Sequence, residues 1–184
     1  CQWFFFFFYK KGPDFERNKN RILDKIKVVD STFLTTCSVV LSFLNKDNSF
    51  YIPNPSDKSF ETLNNFDNAC NVDVFFALSH GVHRGVLKSG KTDDRILFLN
   101  SLKANTPNVK FDIYGVSKIQ PIWADHYFKT IANAKMGLNL SRGEAIKYYS
   151  SDRITQIVGN GLVCLIDERT NYNNFFSNNE MVFY

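Results

Sequence analysis

The chain has 184 residues, 44% hydrophobic and 22% charged, a balance that suits a folded globular protein with one full core and part of a second, and that excludes a disordered chain. Its 22 basic and 18 acidic residues leave a net charge of +4, too small and too evenly mixed to call for nucleic acid, though it favours an anionic ligand. Cys1, Cys37, Cys70 and Cys164 are widely spaced with no Cys-x-x-Cys pair, so they read as reduced cytosolic thiols rather than a disulfide framework or a zinc site.

Taken in chain order, the first feature is aromatic. Trp3, Phe4 to Phe8 and Tyr9 form a run of seven aromatic residues, against roughly 20 apolar residues for a membrane-spanning helix, so the run predicts a buried strand and no transmembrane segment. A signal-peptide pattern is absent, which places the protein in the cytoplasm, compatible with peripheral attachment to the inner face of the membrane. A Gly12-Pro13-Asp14 turn, a helix over 15–27, a short apolar segment at Val28-Val29, a helix over 37–44 and a strand over 49–52 follow. Pro53 and Pro55, in the run Pro53-Asn54-Pro55-Ser56-Asp57, lack the backbone donor and restrict their predecessors. The chain therefore divides into a remnant of a preceding α/β domain (1–52), a linker (53–57) and a second domain (58–184). The lack of Met at position 1, and an end on the apolar run Met181-Val182-Phe183-Tyr184, suggest a piece of a longer protein.

Beyond the linker, apolar strands are expected at 72–78, 109–114, 136–140, 162–166 and 181–184. Helices fit over 92–104, 124–134 and 151–158. In the first of these Asp93 and Asp94 complement the dipole, and Ile96, Leu99 and Leu102 share a face. Connections of this length suit right-handed crossovers of a parallel sheet. The fold class is α/β: a Rossmann-like parallel sheet with helices on both faces.

The most informative stretch runs from Met136 to Ile166: strand, charged loop, helix start, strand. That order puts a loop and a helix N-terminus at the carboxyl end of a buried strand, where open α/β sheets hold ligands. Ser150 or Ser151 can cap the helix by its hydroxyl and leave first-turn amides for a diphosphate. Glu144 and Asp152, eight positions apart, offer carboxylates that each accept two hydrogen bonds from adjacent sugar or ribose hydroxyls. Arg142 and Arg153 flank them and can neutralise phosphate charge. A second loop, Ser79-His80-Gly81-Val82-His83-Arg84-Gly85, supplies two glycines for close backbone approach and a cation. His80 and His83 lack a surrounding ligand cluster, so they suit acid, base or hydrogen-bonding roles better than metal; Lys88 and Lys91 read as solvated.

These residues resemble the nucleotide-sugar-binding half of a glycosyltransferase with two Rossmann domains (GT-B type), particularly the CgeB/YkvP spore-protein-like group of bacteria. Tyr51-Ile52-Pro53-Asn54-Pro55-Ser56-Asp57 resembles the family's interdomain segment, and 73–84 its first strand and basic, Gly-containing loop. Phe111-Asp112-Ile113-Tyr114-Gly115 resembles the second strand with its Gly, and Glu144 to Asp152 the Glu, seven residues, Glu signature. The likeness spans about 28–184. Asp152 departs from it by replacing the second Glu, and Tyr148 to Arg153 is also similar to the donor-site tract of bacterial fucosyltransferases.

The resemblance implies transfer of a sugar from a nucleotide-diphosphate sugar to a glycan, lipid or protein acceptor, with no cofactor and no metal; the lack of an Asp-x-Asp triplet fits that class. It places Glu144 on donor sugar hydroxyls, Asp152 on the ribose, the Ser150 and Ser151 amides on the diphosphate and Arg84 on the phosphates. Gly81, His83, Arg142, Tyr149 and Arg153 complete the donor set. The catalytic base of such enzymes comes from the N-terminal domain, so none is assigned. The alternative is a non-catalytic nucleotide- or glycan-binding module of the same fold. A regulatory domain phosphorylated on Asp is disfavoured, because no acidic cluster lies at the strand ends.

Overall fold

The computed structural model describes residues 3–4, 13–38, 41–78, 82–83, 86–87 and 93–184. They fall into two units. The first comprises residues 1–54 together with 146–149; the second comprises 55–145 and 150–184. The linear division into 1–52, 53–57 and 58–184 does not contain this return of 146–149 to the first unit.

In the first unit, helix α1 (Pro13–Ile26) starts on a proline, whose missing N–H falls where helix amides are unpaired anyway. Strands β1 (Trp3–Phe4), β2 (Thr32–Leu34) and β3 (Ser49–Tyr51) form a parallel sheet in that order. Ile22 of the helix, Leu34, Leu41 and Leu44 make its core. The apolar pair Val28-Val29 enters no strand: Val28 lies in a turn and is 82% exposed, and the strand forms at Thr32–Leu34. One expectation fails here. The helix over 37–44 is replaced, among its described residues, by tight turns in which Leu41 N donates to Ser38 O (3.0 Å) and Leu44 N to Leu41 O (2.9 Å); the apolar spacing serves to bury Leu41 and Leu44, not to line a helix. The returning segment is anchored inside this unit. Lys147 O accepts from Cys37 N and Thr36 Oγ1, both at 3.1 Å, and the Tyr148 ring packs 5.2 Å from Tyr51.

In the second unit, β4 (Val72–Ala77), α2 (Asp94–Asn105), β7 (Phe111–Tyr114), α3 (Ala124–Ile131), β8 (Ala134–Asn139), α4 (Arg153–Gly159), β9 (Val163–Ile166) and β10 (Met181–Phe183) alternate. A short antiparallel pair, β5 (Val82–His83) and β6 (Val86–Leu87), follows β4. The five long strands are parallel in the order β10-β9-β8-β4-β7. From β4 the chain steps to one side (β7), then crosses to the other (β8, β9, β10), so the strand order reverses between β4 and β8. Right-handed crossovers leaving in opposite directions put their helices on opposite faces. The core shows this: Leu99 of α2 packs with Val74, Phe76, Ile113 and Leu138, while Ile131 of α3 and Ile154 and Ile157 of α4 pack with Phe75, Ala77, Cys164 and Ile166. The expected α/β fold, a Rossmann-like parallel sheet with helices on both faces, is the observed one.

Close approach of α4 depends on Gly137 in the centre of β8. A Cβ there would lie 2.4 Å from Ile157 Cγ1, inside any permissible contact, so the strand gives up a side chain and the helix sits directly on its backbone.

Candidate functional site

An open parallel sheet binds ligands outside the carboxyl ends of its strands where the strand order reverses. Here that place is the gap between the ends of β4 and β8. The loop leaving β4 carries Gly81, His83 and Arg84. Gly81 and Arg84 lie outside the described residues, and His83 is described only as part of β5.

The loop leaving β8 is described throughout. Arg142, Gly143 and Glu144 are exposed, and the loop is tied to α2 because Gly143 N donates to Asp94 Oδ2 at 3.0 Å. Gly143 takes φ +75°, the left-handed region that glycine enters freely. Tyr149 goes with the first unit, while Ser150 resumes the second.

The serines do not cap α4 as expected. Asp152 occupies the N-cap position in helical conformation, with no side-chain cap bond. Both hydroxyls have other partners. Ser150 Oγ, buried, accepts from Tyr172 OH at 2.9 Å, and Ser151 Oγ donates to Asn139 Oδ1 at 2.7 Å. The helix begins instead on main-chain bonds, with Ile154 N donating to Ser151 O at 3.1 Å.

Arg153 has a clear structural role. Its Nε donates to Ala77 O (3.0 Å) and its Nη1 to Leu140 O (3.2 Å) and to Ser151 Oγ; its guanidinium lies 5.1 Å from the Phe76 ring centroid. One planar donor fork thus joins the ends of β4 and β8, at the strand reversal. The structure brings Ser151 and Arg153 together with Asn139, and leaves Asp152 and Glu144 exposed nearby in sequence.

Residues outside the expected set also shape the rim. Asp93, fully buried, accepts from Arg95 Nε (3.0 Å) and Nη2 (2.7 Å) and caps α2 through Arg95 N (3.0 Å). Burial pushes the Asp93 carboxyl up, but the Arg95 hydrogen bonds and charge outweigh it and hold the group below its ordinary value. Asn139, which stands between Leu138 and Leu140 at the end of β8, and Tyr172 also lay outside the expected set. Cys164 is no nucleophile, because burial pushes its thiol up to about 12, leaving it protonated at neutral pH. Among the described residues no group of three or more His, Cys, Asp or Glu is placed to hold a metal ion, and no helix is long and apolar enough to cross a membrane.

Residues 95–184 match a protein family described as glycosyl transferase-like. No curated protein and no solved structure matches the chain. The matched stretch begins one residue inside α2 and runs to the end of the chain, so it takes in the whole loop from Leu140 to Arg153. This supports sugar transfer as the general activity.

Proposed function

We propose that the second unit binds a nucleotide-diphosphate sugar at the carboxyl ends of β4 and β8, and that the protein transfers the sugar to a glycan, lipid or protein acceptor without a metal ion, as a member of the CgeB/YkvP-like group. The observation that carries this is the coincidence of a glycosyl transferase-like match over 95–184 with a strand reversal between β4 and β8, at which Arg153 and Ser151 already sit. In this reading Glu144 accepts hydrogen bonds from donor sugar hydroxyls, Asp152 from the ribose, and Arg142, Arg153 and Arg84 offset the diphosphate charge as the glycosidic bond breaks. Fixed cations aimed at a departing diphosphate lower the barrier because charge builds there in the transition state. Gly81, His83 and the Ser150 and Ser151 main chain complete the donor contacts. In this reading the acceptor-side base is not among the residues assigned to the donor site.

Titration calorimetry with UDP-, GDP- and ADP-sugars tests the reading. Binding of one class at micromolar to millimolar strength, with sugar release or transfer over time, supports it. A folded protein that binds none of the three overturns it, and tight binding without hydrolysis or transfer reduces it to a binding module.

A further inference from the structure

Asn139, the last residue of β8, is 3% exposed. Its Oδ1 accepts from Ser151 Oγ, yet its Nδ2 is buried and meets no hydrogen-bond partner among the described residues. Leaving such a donor unpaired is costly, and orphans of this kind are rare enough that each needs a ligand, ion or water to account for it. Its neighbours Leu138 and Leu140 are buried and apolar. The fold therefore uses the acceptor of this amide, through Ser151, and leaves its donor unused.

Asn139 lies two residues beyond the Phe75–Gly137 pairing that joins β4 to β8, at the carboxyl end where the strand order reverses. Arg153 Nη1 donates to the same Ser151 hydroxyl that bonds Asn139. The Ser151 hydroxyl accepts from Arg153 and gives its own proton to Asn139 Oδ1, and the amide N–H2 is the unmatched group. A neutral double donor and a guanidinium, linked through one hydroxyl, make a donor-rich cluster suited to anionic oxygens.

We infer that the side-chain amide of Asn139 donates to a diphosphate oxygen of the bound nucleotide, and that Ser151 positions the amide while Arg153 neutralises the charge. This rests on the donor-binding reading above and names a residue that reading did not contain.

The test uses UDP and GDP as probes, with uridine and guanosine as controls that lack the diphosphate. In ¹⁵N NMR of the wild-type protein, the Asn139 side-chain N–H2 pair, assigned through its own Cβ, shifts on addition of UDP or GDP and stays in place with the nucleosides. By calorimetry Asn139→Asp and Asn139→Leu weaken binding of that nucleotide at least tenfold. An unmoved N–H2 pair in a protein that binds UDP or GDP overturns the inference and leaves the donor reading standing, as does wild-type affinity in both variants. Absence of any binding by the wild-type protein, to UDP, GDP or ADP or to their sugars, overturns both. Should neither variant fold, the wild-type NMR titration decides.

Discussion

The two rims of the five-stranded sheet solve the same problem differently. At the amino rim the polar groups close on one another: Asn65 Nδ2 donates to Ile131 O (2.7 Å) and Ala134 O (2.8 Å), Asn160 Oδ1 accepts from Leu63 N (3.1 Å), and Asp73 accepts from Lys110 N (2.9 Å) and Lys135 Nζ (2.8 Å). What remains unpaired there is an acceptor, Asn65 Oδ1, the commoner kind of leftover. At the carboxyl rim a buried donor remains, Asn139 Nδ2, amid exposed Arg142, Glu144 and Asp152. One rim closes on itself. The other keeps a buried donor unused, at the place proposed above for the nucleotide.

The buried Asp93–Arg95 pair, at the start of α2 and so on the carboxyl rim, is the sharpest challenge to that division. Arg95→Ala leaves a fully buried carboxylate without its partner, and breaking such a pair costs about 3–5 kcal/mol. Denaturant unfolding should show a loss of that size. A loss below about 1 kcal/mol, against that expectation, would mean that this pair does not hold the carboxyl rim.

The same pair sets a pH dependence. Asp93, with its pKa lowered in the fold, contributes stability that is fully present above the unfolded value of about 3.9 and is lost as pH falls through the lowered native value. Asp73 acts in the same sense, because the Lys135 bond and the Lys110 amide lower it too. Stability should therefore fall on acidification below about pH 4, and the Asp93→Asn variant should show a shallower fall. Equal slopes for the two proteins would remove Asp93 from the acid transition.

Asn65→Ala probes the amino rim. It strands two buried carbonyl contacts, at an expected cost of about 1–3 kcal/mol, and leaves nucleotide binding unchanged if the rims are as separate as their chemistry suggests. A variant of full stability that binds UDP or GDP less well would contradict the division of labour.

The strands of the second unit were legible because buried parallel strands read as apolar runs, and α2 because Ile96, Leu99 and Leu102 repeat on one face. The order β10-β9-β8-β4-β7 was not, since each strand carries the same apolar message whichever neighbour it meets. Helix capping failed for a specific reason. Ser150 and Ser151 have the right chemistry for a cap, but Tyr172 and Asn139, distant in sequence, compete for their hydroxyls. Asn139 escaped notice because a polar residue between two leucines reads as the outward half of an alternating strand. The return of 146–149 to the first unit was invisible for a similar reason: Lys147 is anchored through its carbonyl, a group every residue has.

The smallest stability effect belongs to Glu144, and it separates the two kinds of residue most cleanly. Glu144 is exposed on a loop whose link to α2 runs through the main-chain amide of Gly143, so removing its side chain leaves that link intact. Surface substitutions of this sort stay within about 0.5 kcal/mol. A carboxylate accepting two hydroxyls of a bound sugar contributes through charge-assisted bonds of about 1.5–3 kcal/mol each, so Glu144→Ala should weaken binding of the intact nucleotide sugar by tenfold or more while leaving UDP or GDP affinity nearly unchanged. That split assigns the residue to the sugar rather than to the diphosphate or the fold. A thermal midpoint that drops by several degrees would place Glu144 among the residues that hold the protein together, and equal losses for nucleotide and nucleotide sugar would move it to the phosphate side of the site.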